Sequence, residues 1–354
     1  MKIIHPRPNP IVAAMYTLRD LNVDVIVVHG PAGCCFMASR MLEEAGVRVV
    51  TSGLTEDDLI FGGSDSLVET LKMSWDRFRP GTAAVIGTCS SMIIGEDMDA
   101  AIRKAAIPCN VFSVDSHGCS GDNTTGAVKA LECACRAGLL SEAERDRQIF
   151  LMTAAALMEK KAGMAGREYL SPTRGPTKLA AARKIAEALR SGKKVACAMI
   201  AKKELAFRFA DMFLALTEAE RKLGGGLYLI GNLDRDLGLP RIRGYAAAIC
   251  SELDSKGVSY ESLGGMDEYA LIGKRMKEKI DGFAPDLLII AGIPHAYPEL
   301  LPGNILVTDQ PRQLANYLSM GLDAVGEISS HSMVMGAGSI IPLETGDTLR
   351  ELLR

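Results

Sequence analysis

The residues of this sequence best suited to chemistry are cysteines, and two of the nine stand where a fold could use them. Cys34 closes the run His29-Gly30-Pro31-Ala32-Gly33-Cys34, in which two glycines and a proline call for a tight loop. Cys89 follows Thr88 and leads into Ser90-Ser91, again small residues. Both come directly after short apolar, β-branched runs and before helix-forming segments. In open parallel sheets, ligands bind in the crevice beyond the carboxyl ends of the strands. Thiolates there are stabilised by loop amides and helix N-termini, and small neighbours leave space for a bulky group. Iron–sulfur clusters are normally held by four cysteine thiolates, so a chain that supplies two would complete the set as a symmetric dimer. Plain burial of two small apolar side chains remains open at this point.

The other cysteines compete less well. Cys133 and Cys135 are two apart on an expected helix, about 200° around its axis, and cannot grip one metal. Cys109, Cys197 and Cys250 read as small buried hydrophobes in or beside apolar segments. Cys119, in His117-Gly118-Cys119-Ser120-Gly121, is the strongest reserve ligand, and Cys35 a second one that should point away from Cys34. His29, Arg40, His117 and His295 lie near strand ends or loops and could meet substrate carboxylates. The plainer reading of each is loop capping or a surface ion pair.

The elements that must carry these residues alternate regularly between strand and helix, the signature of parallel sheets with covering helices. Strands are expected at Val23–Val28, Arg48–Thr51, Ala83–Gly87 and Asn110–Val114, with helices at Phe36–Ala45, Ser66–Phe78, Met98–Ala106 and Thr125–Ala137. A mostly helical stretch follows at Leu139–Lys161. Ser171-Pro172-Thr173-Arg174-Gly175-Pro176 marks the clearest boundary. Beyond it, strands are expected at Val195–Ile200, Leu227–Ile230, Ser259–Ser262, Leu287–Ala291, Asn304–Thr308 and Asp323–Ile328. The intervening helices are Thr177–Ser191, Lys203–Leu223, Ile242–Lys256 and Asp267–Asp281. The expected class is α/β, with two or three Rossmann-like domains: a cysteine-bearing domain at 1–138, a helical connector at 139–175, and one or two further α/β domains at 176–354.

Composition sets outer limits. With 354 residues, 48% hydrophobic and 23% charged, and a formal net charge of −3, the chain reads as a globular protein without a nucleic-acid footprint. Its N-terminal stretch lacks an apolar core of signal-peptide length, and its apolar runs are strand-sized, so a cytoplasmic protein with no membrane association is expected. There is no G-x-x-x-x-G-K-[ST] stretch, which argues against ATP binding by a P-loop in this chain. Neither C-x-x-C nor H-E-x-x-H occurs.

The segment His29-Gly30-Pro31-Ala32-Gly33-Cys34 resembles the HGPxGC loop of the nitrogenase component superfamily. Thr88-Cys89, followed by Ile94-Gly95-Glu96-Asp97, is similar to that family's second cluster cysteine and its I-G-(D/E)-D step. Phe61-Gly62-Gly63 matches the FGG between them, and His117-Gly118-Cys119-Ser120-Gly121 resembles the glycine-bearing loop after the fourth strand. Order and spacing agree over roughly residues 25–125. One feature departs from the larger subunits of the family: they carry another cluster cysteine upstream, where this chain has His5-Pro6-Arg7-Pro8-Asn9-Pro10.

A compact chain lacking that ligand is similar to the homodimeric Ni-sirohydrochlorin a,c-diamide reductive cyclases of methanogens, a branch of the family acting in nickel-tetrapyrrole biosynthesis. The resemblance implies a 4Fe-4S cluster shared between two subunits through Cys34 and Cys89. It also implies a separate nitrogenase-iron-protein-like dimer that binds and hydrolyses ATP and passes electrons to this chain. The substrate would be a nickel tetrapyrrole, reduced and cyclised to a seco intermediate. A nitrogenase-like cofactor scaffold or maturase, or another tetrapyrrole reductase subunit, is the competing expectation; an α/β binding protein with inert cysteines is a third.

Overall fold

The computed structural model describes residues 9–118, 121–162, 175–308, 314–327 and 338–354. The described residues divide into two compact units: one runs from residue 9 to Thr153 with Leu239–Arg241, and the other comprises the stretches Ala154–Gly238 and Ile242–Arg354. We call them the N-terminal and C-terminal units.

The N-terminal unit is built on four parallel strands: β1 (Val25–His29), β2 (Arg48–Thr51), β3 (Thr82–Gly87) and β4 (Asn110–Val114), in the order β2-β1-β3-β4. β1 is buried along its whole length, as a central parallel strand covered on both faces must be. Its Val25 and Val27 pack with Ala83 and Val85 of β3 against Leu67, Leu71, Met98 and Ala101 from two helices, Ser64–Phe78 and Met98–Ala105. The chain order around β1 is what matters for function. It leaves β1 toward β2 on one side and returns to β3 on the other, so the sheet's topological switch point lies between β1 and β3.

The C-terminal unit has six parallel strands: β5 (Lys194–Ile200), β6 (Gly226–Gly231), β7 (Glu261–Ser262), β8 (Leu287–Gly292), β9 (Ile305–Thr308) and β10 (Asp323–Gly326), in the order β10-β9-β8-β5-β6-β7. Its core joins Ala196, Ala198, Ile200, Ile230, Ile290 and Leu306 of the sheet to Met276 and Ile280 of the helix Gly273–Phe283.

All ten expected strands are present, each within two residues at either end. Two expected helices are broken. Lys203–Leu223 becomes Ala206–Phe209 and Asp211–Leu223, with a tighter bond from the Phe213 amide to the Ala210 carbonyl at the junction. Asp267–Asp281 becomes a 3₁₀ turn, Met266–Glu268, and a helix that starts only at Gly273. There the backbone of Ala296 approaches so closely that a Cβ on residue 273 would fall 1.9 Å from its carbonyl oxygen. Helices not anticipated from periodicity include Pro10–Asp20, Glu56–Phe61, Cys89–Ile93 and Glu344–Leu352. The first begins with Asn9, whose side chain accepts from the Val12 amide, and with proline at its first position.

Candidate metal centre

β1 and β3 end side by side, with His29 in register with Gly87. The loops that follow them are fastened together. The Thr88 hydroxyl donates to the His29 carbonyl at 2.9 Å, and a Cβ on residue 30 would fall 2.5 Å from that same hydroxyl oxygen. Gly30 is therefore the residue that lets the Cys34 loop lie against the Cys89 loop. The Cys34 amide donates to the Pro31 carbonyl at 2.9 Å, closing the expected tight turn. Cys35 then adopts a left-handed conformation (φ 59°) as the cap of the helix Phe36–Glu44, which sends it on a different course from Cys34. On the other loop, Thr88 caps the short helix that Cys89 begins, and its amide donates to the Ser91 hydroxyl at 2.8 Å.

The two loops thus flank the switch point and bring Cys34 and Cys89 together. The Cys34 thiol is pushed above its ordinary pKa, first by burial and then by Cys89. Cys35 is pushed up to about 11 by burial, with further contributions from Cys34 and Cys89. All three thiols are partly exposed. Beside Cys89 the wall is stripped back, since a Cβ on Gly118 would lie 3.5 Å from the Cys89 sulfur. Soft thiolate donors with open space around them suit an iron–sulfur cluster. Among the described residues, however, no group of three or more His, Cys, Asp or Glu side chains could hold a metal ion.

Behind the thiols stands a frame that the sequence motifs did not explain. His29 is fully buried. Its Nδ1 lies 3.0 Å from the Ser52 hydroxyl and its Nε2 3.7 Å from Glu96 Oε2. The other oxygen of Glu96 accepts a short hydrogen bond from the Gly63 amide. Burial holds His29 below its ordinary pKa, opposed by the nearby charge of Glu96 and then by that of Asp58. The segments Phe61-Gly62-Gly63 and Gly95-Glu96 are thus joined directly: one motif binds the other.

The remaining candidates are placed as follows. His29 serves this frame, and its buried ring is closed to a substrate carboxylate. Arg40 is exposed and pairs with Glu44 one helical turn away at 3.8 Å. His117 is half-buried, next to Gly118. Cys119 lies outside the described residues. His295 sits in a 3₁₀ turn after β8, in the C-terminal unit. Cys197 and Cys250 are buried as expected, whereas Cys109 is half-exposed, because β4 is an edge strand and Cys109 precedes it. Cys133 and Cys135 accept from different arginines, Arg136 and Arg145, and so point apart.

Residues 10–158 match the family model of nitrogenase component 1 type oxidoreductases. Over 99% of its length the chain is 42% identical to component CfbD of the Ni-sirohydrochlorin a,c-diamide reductive cyclase complex of Methanothermobacter thermautotrophicus, covering 99% of that protein. The same component from Methanosarcina acetivorans is 43% identical over 100% of this chain and 98% of its own. A narrower similarity, 34% over 33% of this chain, links it to the nitrogenase iron-molybdenum cofactor biosynthesis protein NifE of Methanococcus maripaludis, of which it covers 26%. Full-length identity of this order, on top of a matching cysteine-bearing domain, places the chain in one group: it belongs to the family of component CfbD of the Ni-sirohydrochlorin a,c-diamide reductive cyclase complex.

Proposed function

We propose that this chain is the catalytic component of a nitrogenase-like, ATP-dependent reductive cyclase that reduces and cyclises Ni-sirohydrochlorin a,c-diamide to its seco intermediate. The observation that carries the reading is the paired placement of Cys34 and Cys89 at the switch point, in a chain similar over its full length to component CfbD. Two copies would each contribute both thiolates to one 4Fe-4S cluster, which supplies single-electron transfer when bound. The protein's part is to hold the thiolates and to keep small residues such as Gly118 around them.

A second copy would also cover what one chain leaves bare. Phe36 and Met37 directly follow Cys35, Met92 and Ile93 complete the helix that Cys89 starts, and Ile60 and Phe61 lead into the Gly63 loop. All six are exposed, Phe61 at 84% and Ile93 at 77%. Large apolar side chains exposed on adjoining loops mark an interaction surface. ATP would be bound by a separate nitrogenase-iron-protein-like dimer, since this chain has no P-loop. A cytoplasmic site of action fits, and no described helix is long and apolar enough to cross a membrane.

Anaerobic reconstitution tests the cluster. The expected result is about four irons per dimer, lost in C34A and in C89A; four irons per isolated monomer would defeat the shared site. The short similarity to NifE keeps a cofactor scaffold as the second reading. Incubation with a reduced iron-protein partner, ATP and Ni-sirohydrochlorin a,c-diamide separates the two. A changed tetrapyrrole spectrum supports the cyclase, and an unchanged one with an active partner supports the scaffold.

A further inference from the structure

We propose that Glu96 is the positioning residue of the thiol pair, a single carboxylate that joins the Gly63 amide to the His29 ring and thereby sets the loops carrying Cys34 and Cys89. This rests on the reading of those cysteines as cluster ligands. The Glu96 side chain is only 6% exposed. Among the described residues no lysine or arginine pairs with it; it faces the ring of His29, whose charged form burial disfavours. A buried carboxylate without a cation is costly unless its oxygens are otherwise engaged. Here each oxygen has a task. Oε1 accepts from Gly63, and Oε2 faces His29 Nε2 at 3.7 Å.

The Ser52 hydroxyl accepts from the Gly30 amide at 3.1 Å and stands 3.0 Å from His29 Nδ1. We assign the Ser52 proton to Nδ1, which puts the ring proton on Nε2, on the side of Glu96. The approach of Gly63 is equally specific. A Cβ there would fall 2.4 Å from Leu54 Cδ2 and 3.4 Å from His29 Cε1, so any other residue would have to push the Leu54 side chain aside to present its amide to the carboxylate.

Both cysteine loops hang from this unit. The His29 carbonyl receives the Thr88 hydroxyl immediately before Cys89, and the chain runs from His29 through Gly30 and Pro31 to Cys34. The Glu96 amide, for its part, donates to the carbonyl of Ser91 in the Cys89 helix at 3.1 Å. Moving Glu96 therefore moves both thiols. Its uncompensated negative charge also acts on whatever redox group they hold, opposing the added electron.

E96A and E96Q in the full-length dimer, loaded anaerobically beside wild type, test this. E96A should hold its iron roughly 10–100-fold less tightly against a chelator. E96Q keeps the shape and an acceptor for Gly63 but loses the charge and offers His29 a second donor. It should load iron, show a midpoint potential shifted positive, and give an altered electron paramagnetic resonance spectrum of the reduced cluster. In the metal-free protein, ring ¹⁵N shifts of His29 should show the proton on Nε2 in wild type and a redistributed proton in E96Q. Wild-type iron retention, potential and spectrum in E96Q would overturn the inference alone. A wild-type protein that takes up no iron would sink the cluster reading, and this inference with it.

Discussion

The two units use the same parallel architecture and finish their strands in different ways. In the N-terminal unit the ends of β1 and β3 present thiols, and the segments around them expose Phe36, Phe61 and Ile93. In the C-terminal unit the strand ends are tied off by buried polar side chains. Asn232, after β6, accepts from the Ala201 amide and donates to the Ala201 carbonyl, closing the end of β5. Glu327, after β10, accepts from the amides of Glu344 and Thr345, and Lys178 stands 3.7 Å from it. Asp211 takes the Leu343 amide and the Arg350 guanidinium, fixing the other side of the last helix. Both sheets tie their strand ends with buried polar groups, but only the N-terminal one adds partly exposed thiols there. The fold itself assigns neither role; the side chains grafted onto it do.

The sharpest way to break that comparison is to open the sealed sheet. Lys178 and Glu327 are both almost fully buried, at 3% and 1% exposed. K178M would leave the Glu327 carboxylate, already pushed above its ordinary pKa by burial, without its cation. We expect a loss of about 3–5 kcal/mol of stability, read as a lowered denaturation midpoint. A stability within experimental error of wild type would show that the polar locks are ornamental and that the apolar core alone holds this unit.

The open sheet should respond in the opposite sense. I93K places a charge on a side chain that is 77% exposed, so its cost in stability should stay within about 0.5 kcal/mol. Its effect should instead fall on association: where the wild type should scatter light as the proposed dimer, I93K should scatter as a monomer, and iron loading should fall with it. A monomer that keeps full iron would contradict the shared site, while an unaffected dimer would move the interface away from Ile93.

How much of this could be read in the sequence follows from which forces are local. β-Branched runs such as Val25–Val28 and Leu287–Ile290 declare buried parallel strands by composition alone, and the tight Cys34 turn by its glycines and proline. The close approach that requires a glycine at 273 could not be read there, because it comes from the backbone of Ala296, more than twenty residues away. Cys34 and Cys89 were legible as strand-end thiols. Their partnership with Glu96 was not, since the spacing of Gly63, His29 and Glu96 becomes contact only when β1 and β3 pair. The short helix Glu56–Phe61 was missed although Thr55 and Asp58 form a capping box, because its few residues carry no usable period.

The smallest effect expected is on pH dependence, and it again divides the two units. His29 has its folded pKa held below its ordinary 6.5, chiefly by burial, with Glu96 and Asp58 pulling the other way. In the unfolded chain the ring protonates near its ordinary value. As pH falls below that value, the unfolded state takes up a proton that the folded state still refuses, so stability declines until the folded pKa is passed. The contribution is thus complete above pH 6.5 and is lost on the acid side. H29Q removes the titrating group and keeps a nitrogen donor in reach of Glu96, so its stability profile between roughly pH 5 and pH 8 should be flatter on the acid limb than that of wild type. Parallel profiles would mean that the ring titrates as freely in the fold as outside it, and that the frame behind the two thiols is looser than its buried contacts indicate.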